Sequence, residues 1–310
     1  MQDQGLRMKD SRVPTPGAEV VYAKSGRGPA VLLIQGAGVV GAGWRPQIEE
    51  LAGEYTLYAF DNRGIGGSRL EAGRVLTIED MAHDALAIMD AEGVDTFHVA
   101  GHSMGGLIAQ AVALTAADRV KSLALVCTFV KGAQGARMSA AMLLTALRMR
   151  IGTRAMRRNA FLELVMPDTY LRSRDRAQLA AEMAPLFGYD LASQPYFVMK
   201  QVQAMAAYDA SERWPDVRVP TLIVSAAHDR IALPEYGRAL AELIPGSRFV
   251  ELPGAGHGVT IQCAPAINAL LRDHFSRAEA PALPATGPPR DPSRTLPSDG
   301  RRDRRSSSRT

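Results

Sequence analysis

The chain reads as an α/β protein, a mostly parallel, doubly wound sheet with a helical lid inserted into it. Three observations predict this. Short, fully apolar runs recur along the chain and alternate with amphipathic helical stretches, as βαβ units require. The alternation stops between residues 129 and 212, where Ala, Met, Leu and Arg dominate at helical spacing. It resumes after Trp214-Pro215. The expected layout is a sheet core over 1–128 and 213–275, a lid over 129–212, and a disordered basic tail over 276–310.

Taken in order, Val31-Leu32-Leu33-Ile34 is an apolar run ending in glycines, as a buried strand would be. Tyr55 to Phe60 is a second, closed by Asp61. Thr77 to Glu92 reads as a helix: Thr77 and Asp80 make a capping pair ahead of Met81, Ala85, Ile88 and Met89. Phe97 to Ala100 is a third strand, running through a glycine-flanked turn into an apolar helix, Met104 to Thr115. Leu123 to Cys127 and Thr221 to Val224 are further strands, with another expected at Arg248 to Leu252. A last helix is expected from Pro265 to about Phe275.

A chain of 310 residues, 46% hydrophobic and 22% charged, has ample material for a buried core. The net charge of +4 is confined to its end: eight arginines against four acids between Ser276 and Thr310 account for all of it. The body is neutral, which argues against a nucleic-acid surface on the folded part. Beyond Ser276 the chain is Pro, Arg and Ser with few large apolar side chains, too little to offset the entropy of ordering. Cys127 and Cys263 are too few for a disulfide framework and lack metal-ligand spacing. The first 17 residues hold no apolar run of the signal-peptide kind, and no stretch approaches a membrane span. A cytoplasmic location is the default expectation.

The chemistry is concentrated in Gly101-His102-Ser103-Met104-Gly105-Gly106, which matches G-x-S-x-G between a strand and a helix. A serine on so sharp a turn needs small neighbours, and the Met104 N–H then points to where an oxyanion would form. A serine hydroxyl also needs a base and an acid that orients it, following in the order Ser, Asp or Glu, His. Asp229 comes just after the strand at Thr221, and His257 sits in the glycine-rich loop Gly254 to Gly258. Singly, Asp229 could be a helix N-cap and His257 a surface histidine; their chain order beside the serine disfavours both readings. His83 and His274, on helices, are expected to be solvated, and His102 to buttress the turn.

These motifs resemble the α/β-hydrolase superfamily over roughly residues 20 to 275. Asp61-Asn62-Arg63-Gly64-Ile65-Gly66-Gly67-Ser68 is similar to that family's D-x-R-G-x-G-x-S segment. The resemblance implies Ser103 as nucleophile, His257 as general base, Asp229 as the orienting acid, and no cofactor or metal. The loop after the first apolar strand, usually His-Gly-x, is here Gln35-Gly36-Ala37-Gly38. It implies Ala37, or else Gly38, as the second oxyanion donor beside Met104. The substrate implied is a small, largely apolar ester or lactone; the sequence gives no oligomeric state.

Other readings remain open. Gly36 to Gly41 matches G-x-G-x-x-G, with Asp61 placed 20 residues on, as a dinucleotide site would have. The loop continues through Trp44-Arg45-Pro46, however, so a helix cannot begin at the glycines. Carbon–carbon hydrolases of aromatic degradation resemble the Gly36 to Trp44 loop but usually have Asn before the nucleophile and Trp after the histidine, where this chain has His102 and Gly258. Cofactor-free haloperoxidases fit the general pattern too, and a non-catalytic small-molecule sensor is a further alternative. Phe129, Met142, Phe161, Met166, Phe187, Tyr196 and Met199 could line the pocket or simply pack the lid helices.

Overall fold

In a computed structural model, residues 9–137 and 139–280 are described. The first two strands, β1 (Lys9–Thr15) and β2 (Ala18–Gly26), form an antiparallel hairpin about Gly17. Then follow β3 (Ala30–Ile34), a 3₁₀ turn at Gly41–Trp44, α1 (Arg45–Leu51), β4 (Thr56–Phe60), the short β5 (Arg69–Leu70) and α2 (Ile78–Ala91). Next come β6 (Phe97–His102), α3 (Met104–Thr115) and β7 (Val120–Val126). Among the described residues six α-helices and a 3₁₀ turn (Ser211–Asp216) precede the next strand: α4 (Gly132–Gly135), α5 (Ala140–Arg148), α6 (Arg154–Val165), α7 (Asp168–Arg172), α8 (Arg176–Phe187) and α9 (Phe197–Ala207). The chain closes with β8 (Thr221–Ala226), α10 (Pro234–Leu243), β9 (Arg248–Leu252), α11 (Val259–Gln262) and α12 (Ala264–Glu279).

The strand order is β1-β2-β4-β3-β6-β7-β8-β9, with β5 beside β2. From β4 to β9 every pairing is parallel, and only β2 and its partners run antiparallel. Every residue of β6 and β8 is buried, which is why these strands are mostly apolar. The hairpin is different. In β2 buried and open positions mix, and β1 is mostly polar with Pro14 near its end, as an outer strand permits. It folds as a strand because β2 offers it a ladder, and the apolar pattern gave no warning of it.

Helix α2 begins as expected, with Thr77 Oγ1 accepting the Asp80 amide at 3.0 Å. Beyond it, a buried ion pair fixes the 61–68 loop: Arg63 Nε and Nη2 donate to Asp84 at 2.6 Å each, both side chains 1% exposed. Losing either partner would leave a buried charge, a cost of about 3–5 kcal/mol. Asp61 Oδ1 accepts the Gly41 amide and Oδ2 the Gly67 amide, each at 2.8 Å. These contacts hold together the loops at the carboxyl ends of β3 and β4. They also commit the carboxylate that a dinucleotide ribose would need, and no α-helix starts until Arg45.

The helices between β7 and β8 carry an apolar cluster of their own, in which Phe161, Met166 and Phe187 are buried. Phe129 belongs to the main core. These four are packing residues; Tyr196 and Met199 are exposed. One boundary needs correction. The last helix does not stop near Phe275 but continues to Glu279, whose Oε1 accepts from Lys121 Nζ at 2.7 Å and lies 2.9 Å from His98 Nε2. That anchorage extends the helix into the expected tail; the rest of the tail lies outside the described residues. No described helix is long and apolar enough to cross a membrane.

Candidate active site

Ser103 links β6 to α3 with φ 56° and ψ −122°, a conformation a side chain rarely adopts. Glycine surroundings make room for it. A Cβ on Gly101 would stand 2.1 Å from Gly105 O, one on Gly105 2.2 Å from Ile34 O, and one on Gly106 2.4 Å from Thr128 Oγ1. The turn is held by Ser103 N–H donating to Val126 O at 3.0 Å and Thr128 Oγ1–H donating to Ser103 O at 2.7 Å. Ser103 thus caps α3, whose N-terminal dipole favours negative charge there.

Asp229 follows β8 through a turn in which its amide donates to Ala226 O at 3.0 Å. Its Oδ1 accepts the amides of Ile231 (2.8 Å) and Ala232 (2.9 Å). Its Oδ2 lies 2.7 Å from His257 Nδ1, and both side chains are buried. A carboxylate at that distance fixes the hydrogen on Nδ1 and leaves Nε2 free to accept a proton. The His257 loop is held by Gly258 N–H donating to Val165 O at 2.7 Å and by Gln262 Oε1 accepting Gly256 N–H at 2.8 Å. His102 connects this loop to the elbow, its Nε2–H donating to His257 O at 2.9 Å. Burial, then the neighbouring His257, lowers the His102 pKa to about 3, so its ring is neutral. No direct hydrogen bond joins Ser103 to His257 among the described residues.

The loop after β3 decides which amide is available. Gly36 N–H donates to Gln35 Oε1 at 3.1 Å, Gly38 N–H to Gln201 Oε1 at 2.8 Å, and Val39 N–H to Gly36 O at 3.3 Å. Of four successive amides only that of Ala37 makes no hydrogen bond among the described residues, while that of Gly38, the alternative named from the sequence, is engaged by Gln201. The Met104 amide is likewise uncommitted there. Gly36 lies against the serine itself: a Cβ on it would be 2.9 Å from Ser103 Cβ and 3.4 Å from Oγ.

Two side chains were missed from the sequence. Gln35 was expected only as a departure from histidine, yet its Oε1 takes the Gly36 amide and lies 3.3 Å from His102 Nδ1. Gln201, fully buried on α9, reaches Gly38 across 163 residues, and no local signal marks it. Cys127, at φ 46°, is buried, and burial followed by the charge of Asp229 pushes its thiol pKa up. Among the other histidines, His83 and His228 are exposed. His274 is not solvated as expected: it is buried, its Nε2 bonds Leu123 O at 3.0 Å, and burial lowers its pKa to about 4. Among the described residues no group of three or more His, Cys, Asp or Glu side chains is placed to hold a metal ion.

A family model for the alpha/beta hydrolase fold matches residues 29–262. RutD of Azorhizobium caulinodans, a protein named as a carbamate hydrolase, is 32% identical over 254 residues, covering 82% of this chain and 94% of its own. The crystal structure of the enol-lactonase from Burkholderia xenovorans LB400 superposes with a TM-score of 0.71 at 28% identity, covering 86% of this chain and all of the other. A thermophilic esterase from Thermogutta terrifontis gives 0.72 at 26% identity, over 88% of this chain and all of the other.

Proposed function

The chain belongs to the α/β-hydrolase family and is a hydrolase, and from that premise we propose that it cleaves a small carboxylic ester or lactone through an acyl-enzyme on Ser103. His257 Nε2 takes the Ser103 hydroxyl proton as Oγ attacks the acyl carbon. The oxyanion is held by the Ala37 and Met104 amides, and Asp229 keeps the proton on His257 Nδ1. Collapse breaks the C–O bond, and His257 delivers its proton to the leaving oxygen. Water then attacks the acyl-enzyme, giving a proton to His257, and the acid departs as Ser103 is restored.

The observation that supports this reading most is the pair of uncommitted amides, Ala37 and Met104, beside a serine held at φ 56°. A hole of two donors costs no reorganisation when charge develops on the substrate oxygen. The likeness to RutD favours a second reading, a carbamate as substrate. Its C–N bond breaks on collapse as His257 gives its proton to the leaving nitrogen, and the oxycarbonyl group left on Ser103 is then hydrolysed. The test is covalent labelling with a fluorophosphonate, mapped by mass spectrometry, followed by kcat/KM on aryl esters, enol-lactones, carbamates and a ring-fission dienoate. Label on Ser103 with esters or lactones foremost supports the reading. Label elsewhere, or a tenfold preference for the dienoate, about 1.4 kcal/mol, refutes it.

A further inference from the structure

The helices between β7 and β8 border an open cavity of about 680 Å³. Met149, just after α5, and Tyr196, Val198 and Met199, at the start of α9, make much of its wall. Two arginines, Arg150 and Arg157, also line it, and no carboxylate does. Among the described residues neither guanidinium has a hydrogen-bond or ion-pair partner, and Arg157 Nε is buried without an acceptor. Several neighbouring arginines are paired instead. Arg148 and Arg176 hold Glu163, Arg154 holds Asp190, and Arg174 holds Glu182. Asp190, whose charge reaches Arg157, is committed to Arg154 at 2.7 Å and to the Ala192 amide at 3.1 Å.

Arg150 is exposed and Arg157 half-buried. A buried guanidinium N–H without an acceptor, as at Arg157 Nε, is unusual, because it has given up water for nothing. A planar fork of donors in an apolar wall matches a carboxylate carried on a hydrocarbon spacer. One wall residue, Val198, also packs against the loop after β3. A Val198 methyl lies 2.7 Å from where a Cβ on Gly38 would stand, and Gln201 on the same helix holds the Gly38 amide.

We propose that this cavity is a subsite for a carboxylate on the substrate, held by Arg157 and Arg150, with the spacer against Met149, Val198 and Met199. The substrate class is then a half-ester of a dicarboxylic acid, or a lactone bearing a carboxylate side chain. This rests on the ester-or-lactone reading above and narrows it.

The test compares monomethyl with dimethyl esters of succinic to suberic acid, as kcat/KM on wild type, Arg157→Gln and Arg157→Lys. Wild type should favour one of the half-esters over its diester by tenfold or more. Arg157→Gln should abolish that ratio and Arg157→Lys retain part of it. A wild-type preference for every diester, or a ratio that Arg157→Gln leaves unchanged, overturns the proposal. Calorimetric titration with glutarate separates the two readings. Wild-type binding weakened at least tenfold in a folded Arg157→Gln supports the subsite even if no ester is turned over, in which case the ester reading alone has failed. No glutarate binding by wild type, together with no half-ester preference, overturns the subsite while Ser103-dependent turnover of diesters would leave the ester reading standing.

Discussion

Asp229→Asn should disable the site almost without altering its shape, and the hydrogen bonds say why. The carboxylate serves two sides: Oδ1 accepts the Ile231 and Ala232 amides, and Oδ2 accepts from His257 Nδ1. An asparagine has one oxygen for these three donors. Turning its NH₂ toward the two backbone amides would leave two buried donors unpaired, at about 1–3 kcal/mol each. The NH₂ therefore faces His257, whose Nδ1 must become an acceptor and whose hydrogen moves to Nε2. A ring protonated at Nε2 cannot take the proton of Ser103. Reaching the productive tautomer costs roughly the two lost amide bonds, about 2–6 kcal/mol, or roughly 30-fold to 10⁴-fold in kcat. The assay is steady-state turnover of an aryl acetate with active sites counted by fluorophosphonate, alongside a thermal melt to show that the fold is kept. A kcat within tenfold of wild type, from a folded variant, would refute both the tautomer argument and the role given to Asp229.

Three further outcomes are expected. Ser103→Ala should lower kcat on the order of 10³–10⁶ and leave the melt largely intact; normal turnover would remove Ser103 as nucleophile. Stability should fall as pH drops from about 6.5 toward 4: His102 and His274 bind a proton in the unfolded chain but not in the folded one until their lowered pKa values of about 3 and about 4 are reached. Each contributes up to ~1.4 kcal/mol per pH unit in that window, so His274→Asn should flatten the dependence of urea midpoints on pH, and an unchanged slope would count against it. Ending the chain after Ala280 should leave kcat/KM within about twofold, since residues 281–310 lack core-forming side chains. Ending it after Arg277 should lower Tm by about 2–6 °C, because removing the Glu279 contacts to His98 and Lys121 costs about 1–2 kcal/mol. Equal melts for the two truncations would show that Glu279 anchors nothing.

The parts of the fold that were legible share a physical cause. Strands β3, β6, β7 and β8 are largely buried on both faces, so burial writes itself into the sequence as short, mostly apolar runs. Helix α3 was legible to the residue because glycines and the serine punctuate its start. The β1–β2 hairpin was not, because an outer strand such as β1 needs no apolar run and takes its conformation from its partner. The end of α12 was missed for a related reason: local composition beyond Phe275 is poor, and the contacts that hold Glu279 come from β6 and β7.

The candidate site divides along the same line. Ser103, Asp229 and His257 were legible because each sits at a strand end in a glycine-rich or turn context. What tunes them is non-local. A residue at position 35 with an acceptor beyond its Cβ can take the Gly36 amide, as Gln35 does through Oε1, and so withdraw one candidate oxyanion donor. Gln201 withdraws the next but one, Gly38, from a helix far along the chain. Only together do they single out Ala37. A choice among neighbouring amides that depends on two glutamines far apart in sequence cannot be written in the loop itself. It also makes the oxyanion loop answer to α9, the helix that carries Val198 and Met199 to the cavity wall. Any substitution that shifts α9 should therefore change the rate of acyl transfer as well as substrate preference, coupling kcat to KM at residues that never touch the scissile bond.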